Sequence, residues 1–293
     1  STIMSYAGSC GSDNVQFYSD LYFHAGSIEE IGYYALFGNP SQCGTIIPTA
    51  NNAPVVTLPY QDNFFIPILT PFELNGSATD ADGDPLTFSW EEMDTGPEVP
   101  LETPTGTSPL FRTWPAVAAT NRVFPRMSTI LNNQFDLSEQ LPTYTRDLNF
   151  RLTARDNQSG GGGIHWADVS FKATELAGPF VVTAPNVPGT VWSIGSYMPV
   201  SWDVANTHLY PVNCHTVNIL LSTDNGQTWP HVLASNTAND GIQYVLAPNL
   251  PTNNARIRVQ AADNIFFDVS DTKFIIKQPT QPGFSVSLSN DAT

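Results

Sequence analysis

Ala78-Thr79-Asp80-Ala81-Asp82-Gly83-Asp84-Pro85-Leu86-Thr87-Phe88-Ser89-Trp90 is the stretch on which the fold turns. Its second half, Leu86 to Trp90, alternates apolar and polar side chains with the period of a half-buried strand. Its first half interleaves Asp80, Asp82 and Asp84 with Gly83 and Pro85, which bend the backbone and end a strand. Strand, polar turn, strand is the predicted unit.

The pattern repeats outward. Upstream lie Val55-Val56-Thr57-Leu58 and Phe72-Glu73-Leu74; downstream lie Phe150-Arg151-Leu152-Thr153 and Ala167-Asp168-Val169-Ser170-Phe171. Residues 54–176 therefore read as one β-sandwich resembling the immunoglobulin type, with extended loops between Glu98 and Pro142 and a flexible hairpin connection at Gly160–Gly163. A second series runs through Val181-Val182-Thr183, Pro199-Val200-Ser201-Trp202, Val217 to Ser222, Gln243 to Leu246, Ala255 to Val259 and Lys273 to Ile276. It predicts another sandwich over 179–277. Gln278-Pro279-Thr280-Gln281-Pro282 reads as a linker, and 278–293 as that linker plus the start of a truncated further domain. The Asp-rich loop resembles that of cadherin-like and polycystic-kidney-disease-type extracellular domains. The second series resembles the fibronectin-like modules appended to secreted bacterial hydrolases.

The 293 residues carry a formal charge of −16 from three Lys, eight Arg and 27 acidic residues. Such a chain repels phosphate backbones, so nucleic acid is not expected as a partner. No apolar run reaches the roughly 18–20 residues of a membrane span.

The N-terminal stretch differs. Ser1-Thr2-Ile3-Met4-Ser5-Tyr6 is a short apolar turn, followed by Cys10. Ser27-Ile28-Glu29-Glu30 has the capping-box spacing and predicts a helix of about ten residues, with Ile28, Ile31, Tyr34 and Leu36 on its buried side. Gly38-Asn39-Pro40 stops it, and Cys43 follows. Cys10 and Cys43 flank the helix and are expected to form a disulfide, stabilising by roughly 3–4 kcal/mol and implying an oxidising compartment. Cys214 is expected as a buried small side chain.

This order of Met and Tyr in a turn, Cys, a helix opening Ser-Ile-Glu, and a second Cys resembles the end of bacterial reprolysin-like metallopeptidases of the metzincin superfamily. The resemblance covers residues 1–47. With the two strand series, the expected fold is a mainly β chain of two tandem immunoglobulin/fibronectin-like sandwiches, preceded by what the resemblance implies is the C-terminal α-helical end of a metzincin catalytic domain. Met4 would form the apolar base under a catalytic zinc, Tyr6 would offer a phenol toward the metal or a developing oxyanion, and Ala7, Gly8 and Ser9 would line the specificity pocket. The zinc-binding His-Glu-x-x-His-x-x-Gly-x-x-His is absent from this chain, so the ligands are expected upstream of Ser1 and this chain alone is expected to be inactive. A secreted or cell-surface endopeptidase acting on protein or peptide substrates is the implied parent. The alternative is an extracellular adhesive or binding β-sandwich protein stabilised by calcium.

Two motifs keep two readings each. Asp80, Asp82 and Asp84 offer hard oxygen ligands suited to calcium, and equally the polar side chains of a tight turn. Ser222-Thr223-Asp224-Asn225-Gly226-Gln227-Thr228-Trp229 matches an Asp-box, read as a folding device rather than glycan chemistry. His24, His165, His208, His215 and His231 show no ligand spacing.

Overall fold

The computed structural model describes residues 2–45 and 47–279. Nearly all of the predicted further domain lies outside the described residues.

The N-terminal segment holds helix α1 (Ala25–Phe37). Strands β1 (Val55–Thr57), β2 (Phe65–Pro67), β3 (Phe72–Leu74) and β4 (Ser77–Thr79) follow. Next come β5 (Thr87–Glu92), β6 (Arg122–Phe124), a short helix α2 (Met127–Leu131), and the long hairpin β7 (Arg146–Arg155) and β8 (Ile164–Thr174). One sheet runs β2-β8-β7-β5; the pairs β1–β4 and β3–β6 complete the sandwich. Its core is aromatic. Phe72 stacks on Phe124 at 4.9 Å and meets Phe111, Phe150 and Phe171 edge-on at 5.6–5.8 Å. Such pairs add about 0.5–1.5 kcal/mol each beyond simple burial.

The second sandwich comprises β9 (Val181–Ala184), β10 (Val191–Ser193), β11 (Tyr197–Asp203), β12 (Thr216–Ser222), β13 (His231–Ala238), β14 (Ile242–Leu246), β15 (Thr252–Ala261), β16 (Phe267–Val269) and β17 (Phe274–Lys277). One sheet runs β10-β17-β15-β12-β13, with β16 on β15; the other runs β14-β11-β9. Between them lie Trp192, Trp202, Ile219, Leu221, Ile257 and Phe274, together with a buried Cys214. Burial pushes the Cys214 thiol up to about 12, so it packs as a small apolar group.

The sandwiches meet along β3 and β16. Phe267 N–H donates to Pro71 O and Glu73 N–H to Ile265 O, both at 2.9 Å. Arg258 crosses the joint to Glu73 while lying 3.7 Å over the Phe267 ring, and both side chains are nearly buried. Removing one partner strands the other charge. Arg258→Ala is therefore expected to split a single calorimetric unfolding transition into two; a single transition in the variant would show that backbone pairing alone couples the units.

The region predicted as loops between Glu98 and Pro142 is ordered by charge. Glu139, buried, accepts from Trp114 Nε1 (3.0 Å), Arg122 Nη2 (2.6 Å) and the Arg126 N–H (3.0 Å). The Arg112 and Arg126 guanidiniums stack on Trp114 at 3.9 and 3.8 Å.

Candidate functional site

Thr2 to Ser9 fold as two consecutive turns. Ser5 N–H donates to Thr2 O (3.0 Å) and Ser9 N–H to Tyr6 O (2.9 Å). Ala7 and Gly8 form the tip of the second. Gly8 has φ +84°, and a Cβ there would lie 2.5 Å from Phe17 O, so the backbone and its neighbour both demand glycine. Met4 is 63% and Tyr6 82% exposed. Nothing among the described residues covers Met4 as a buried base. The predicted disulfide is not formed: Cys10 and Cys43 are both exposed free thiols. Each is folded onto its own turn, Cys10 Sγ against Tyr6 O (3.6 Å) and Cys43 Sγ against Pro40 O (3.5 Å).

Helix α1 begins a turn earlier than the capping box predicts. His24 is the N-cap, its Nδ1 accepting from Gly26 N–H (3.1 Å). The Ala25 N–H donates to Glu91 Oε2 (3.2 Å), a carboxylate from β5 at the helix's positive end. Arg151 of β7 ties Glu29 (2.6 Å) to Asp168 (2.7 Å). Tyr22 hydroxyl meets Thr113, and Arg112 pairs with Asp20 at 3.6 Å. The N-terminal segment thus docks on the outer face of the first sheet through polar groups.

Its apolar side chains point elsewhere. Of the predicted buried face only Ile28 is half-buried; Ile31, Tyr34 and Leu36 are exposed. Phe17, Tyr18 and Leu21 are exposed as well, Leu21 by 95%. Exposed aromatic and aliphatic side chains are thus concentrated in residues 3–37.

Among the described residues, the three aspartates predicted as candidate metal ligands do form a group: Asp80, Asp82 and Asp84 place ligand oxygens within 4.8 Å of one another. Asp80 Oδ1 accepts from the N–H groups of Asp82 (2.9 Å) and Asp84 (3.2 Å), which shapes the loop. Burial, then Asp80, Asp156 and Asp82, push the Asp84 carboxyl above the usual range. No histidine or cysteine joins them, so the described residues do not fit a zinc site. His165 is used structurally, its Nδ1 accepting from Val56 N–H at 3.2 Å.

The Asp-box builds the β12–β13 turn. Asp224 accepts from Ser222 Oγ and Thr228 Oγ1, both at 2.6 Å, while Gly226 N–H donates to Ser222 Oγ at 2.8 Å. The Ser222, Asp224 and Thr228 side chains are thus engaged within the turn, which supports the folding-device reading.

No family model matches the chain, and no curated protein matches it. Solved structures similar to it include fibronectin(III)-like modules of Clostridium thermocellum CbhA, at 13% identity and TM-score 0.25, covering 79% of this chain and 100% of that one. Drosophila N-cadherin EC1–4 aligns at 10% identity and TM-score 0.27 over 78% of this chain and 51% of that one. Scores this low carry no functional argument; the mainly β fold stands on the strands and cores above.

Proposed function

We propose that this chain is the C-terminal portion of a secreted zinc endopeptidase, in which residues 2–45 close the catalytic domain and the two sandwiches carry it. The observation behind this reading is the polarity of the N-terminal segment. It is fastened to the first sheet by polar contacts, yet turns Met4, Tyr6, Leu21, Ile31, Tyr34 and Phe37 outward. A face of that kind suits the rest of a catalytic domain, and the order of turn, cysteine, helix and cysteine resembles the end of metzincin peptidases. Zinc would be held by residues outside those described here. What these residues would supply is the turn beneath the site, the Ala7–Ser9 wall and the Tyr6 phenol as a hydrogen-bond donor to developing negative charge.

The test is to express the chain together with the coding sequence that precedes it and to assay hydrolysis of a peptide library. The reading expects cleavage abolished by 1,10-phenanthroline, and a Tyr6→Phe variant with reduced kcat and nearly unchanged KM. Absence of cleavage by the folded, zinc-loaded extended chain contradicts it. An adhesive or binding β-sandwich pair is the second reading, favoured by the clustered aspartates at one end of the first sandwich.

A further inference from the structure

A cleft lies where the two sandwiches meet, between the β1–β2 connection and the β15–β16 connection. Tyr60 and Phe64 line it from the first unit, Asp263 and Asn264 from the second, around a cavity of about 380 Å³. A smaller recess of about 180 Å³ adjoins it, sharing Tyr60 and Asn264 and adding Glu73, Arg258 and Gln260. Mixed apolar and polar cavities at a domain boundary are where small ligands bind. The walls are preset by hydrogen bonds. Asn75 N–H donates to the Tyr60 hydroxyl (2.6 Å), Asn264 Nδ2 donates to Phe65 O (2.9 Å), and Asn264 Oδ1 accepts from Ile265 N–H (2.8 Å). The Tyr60 and Phe64 rings are half-buried, their centroids 6.1 Å apart. Arg258 is 7% exposed and bonds Glu73 through Nη2, while its Nε has no acceptor among the described residues. A buried donor left unpaired is destabilising and asks for an acceptor.

We propose that this cleft binds a neutral saccharide, one ring seated against Tyr60 and its hydroxyls directed at Glu73, Gln260 and the Arg258 end of the recess. Charge selects against an anion: Glu73 and Asp263 outnumber Arg258 in the lining of a chain whose formal charge is −16. Sugar hydroxyls both donate and accept, which matches a guanidinium, a carboxamide and carboxylates set side by side. The C–H face of a sugar ring packs on an aromatic side chain that also has a polar end. An extended peptide would instead need free main-chain groups to pair with. At this joint the Phe267 and Glu73 N–H groups are already bonded to Pro71 O and Ile265 O. Because both sandwiches line the cleft, the sugar would also brace one against the other. The inference stands whichever reading of the N-terminal segment is correct.

The full chain is titrated calorimetrically with glucose, galactose, mannose, N-acetylglucosamine and their 1,4-linked disaccharides, with glucuronate as the anionic control and a neutral acetylated tetrapeptide as the peptide control. At least one neutral sugar is expected to bind at a single site with about millimolar affinity or better, and glucuronate at least about tenfold more weakly. Tyr60→Ala is expected to weaken sugar binding at least about tenfold, Tyr60→Phe to leave it within about threefold, and Gln260→Ala to weaken it about fivefold. Far-UV circular dichroism confirms that the variants are folded; should Tyr60→Ala not fold, Gln260→Ala decides. Hydrogen exchange should slow in residues 59–64 and 262–266 when the sugar is bound. The proposal is overturned by no neutral sugar binding at tens of millimolar, by glucuronate or the peptide binding more tightly than every neutral sugar, by binding undiminished in the folded variants, or by protection that maps elsewhere.

Discussion

Arg146→Ala is expected to destabilise the first sandwich by about 3–5 kcal/mol, the cost of removing one partner from a buried charge network. Arg146 is 1% exposed and places Nη2 3.2 Å from Asp94 and 3.5 Å from Glu92, whose side chains are equally buried. Its Nη1 donates to Ser108 O (2.7 Å), so the same side chain pins the long excursion after β5 to β7. Glu92 also accepts the N–H groups of Leu110 (2.7 Å) and Phe111 (2.6 Å). Burial, reinforced by Asp94, raises the Glu92 pKa; a proton is thereby retained between the two carboxylates, and one cation balances the charge that remains. Without Arg146 that charge has no counter-ion. Arg146→Lys keeps the charge but loses the fork, and an intermediate loss is expected. Urea unfolding followed by tryptophan fluorescence reads this as a lower midpoint at unchanged slope. A loss below about 1 kcal/mol would mean the excursion is held by other contacts.

The second large effect is on pH. Glu91 is fully buried, and burial raises its pKa from 4.5 to about 7 against the opposing influence of Arg155 and the Ala25 N–H. Burial likewise raises Asp268 from 3.8 to about 7, although it accepts from Val182 N–H at 2.7 Å. In both cases the folded state keeps a proton that the unfolded chain has released. Their stabilisation is therefore present below about pH 4 and is lost as pH rises through 7. If the whole shift is realised, Glu91 alone accounts for about 2.5 kcal/mol between pH 5 and pH 8. Asp224 acts oppositely: burial disfavours its charge, but the Ser222 and Thr228 hydrogen bonds outweigh it and hold the carboxyl at about 2. Its contribution is present above about pH 4 and disappears as pH falls through 2. From these three groups the maximum is expected near pH 4, with stability falling toward pH 7 and a lower melting temperature at pH 8 than at pH 5. Glu91→Gln should flatten the alkaline limb. A wild-type melting temperature that rises from pH 5 to pH 8 would contradict this account.

Much of the β-architecture was legible because alternation is local. Leu86 to Trp90, Phe150 to Thr153 and Val217 to Ser222 announced strands, and Ser222 to Trp229 announced its turn through residues that bond within the motif. What sequence could not show was long-range polar pairing. Arg151 falls at a polar position of the β7 alternation, yet it is buried, bonded to Glu29 of the N-terminal segment and to Asp168. The start of α1 lies upstream of the capping box because His24 caps the Gly26 N–H and Glu91 of β5 accepts the Ala25 N–H, a partner that no local motif announces. Ile31, Tyr34 and Leu36 read as a buried helix face, but the sandwich offers no core for them and all three are exposed. All three aspartates of the loop carry a visible signal; the pairing of Asn51 with Asp156 and Gly161 carries none, because those partners lie more than a hundred positions away.

The central claim is that the outward apolar face of residues 2–37 belongs to a catalytic domain. Translating the coding sequence that immediately precedes Ser1 tests it most directly. The account predicts His-Glu-x-x-His-x-x-Gly-x-x-His within some tens of residues, with its glutamate as general base. An open reading frame there without that motif would contradict the peptidase reading and leave a β-sandwich binding protein.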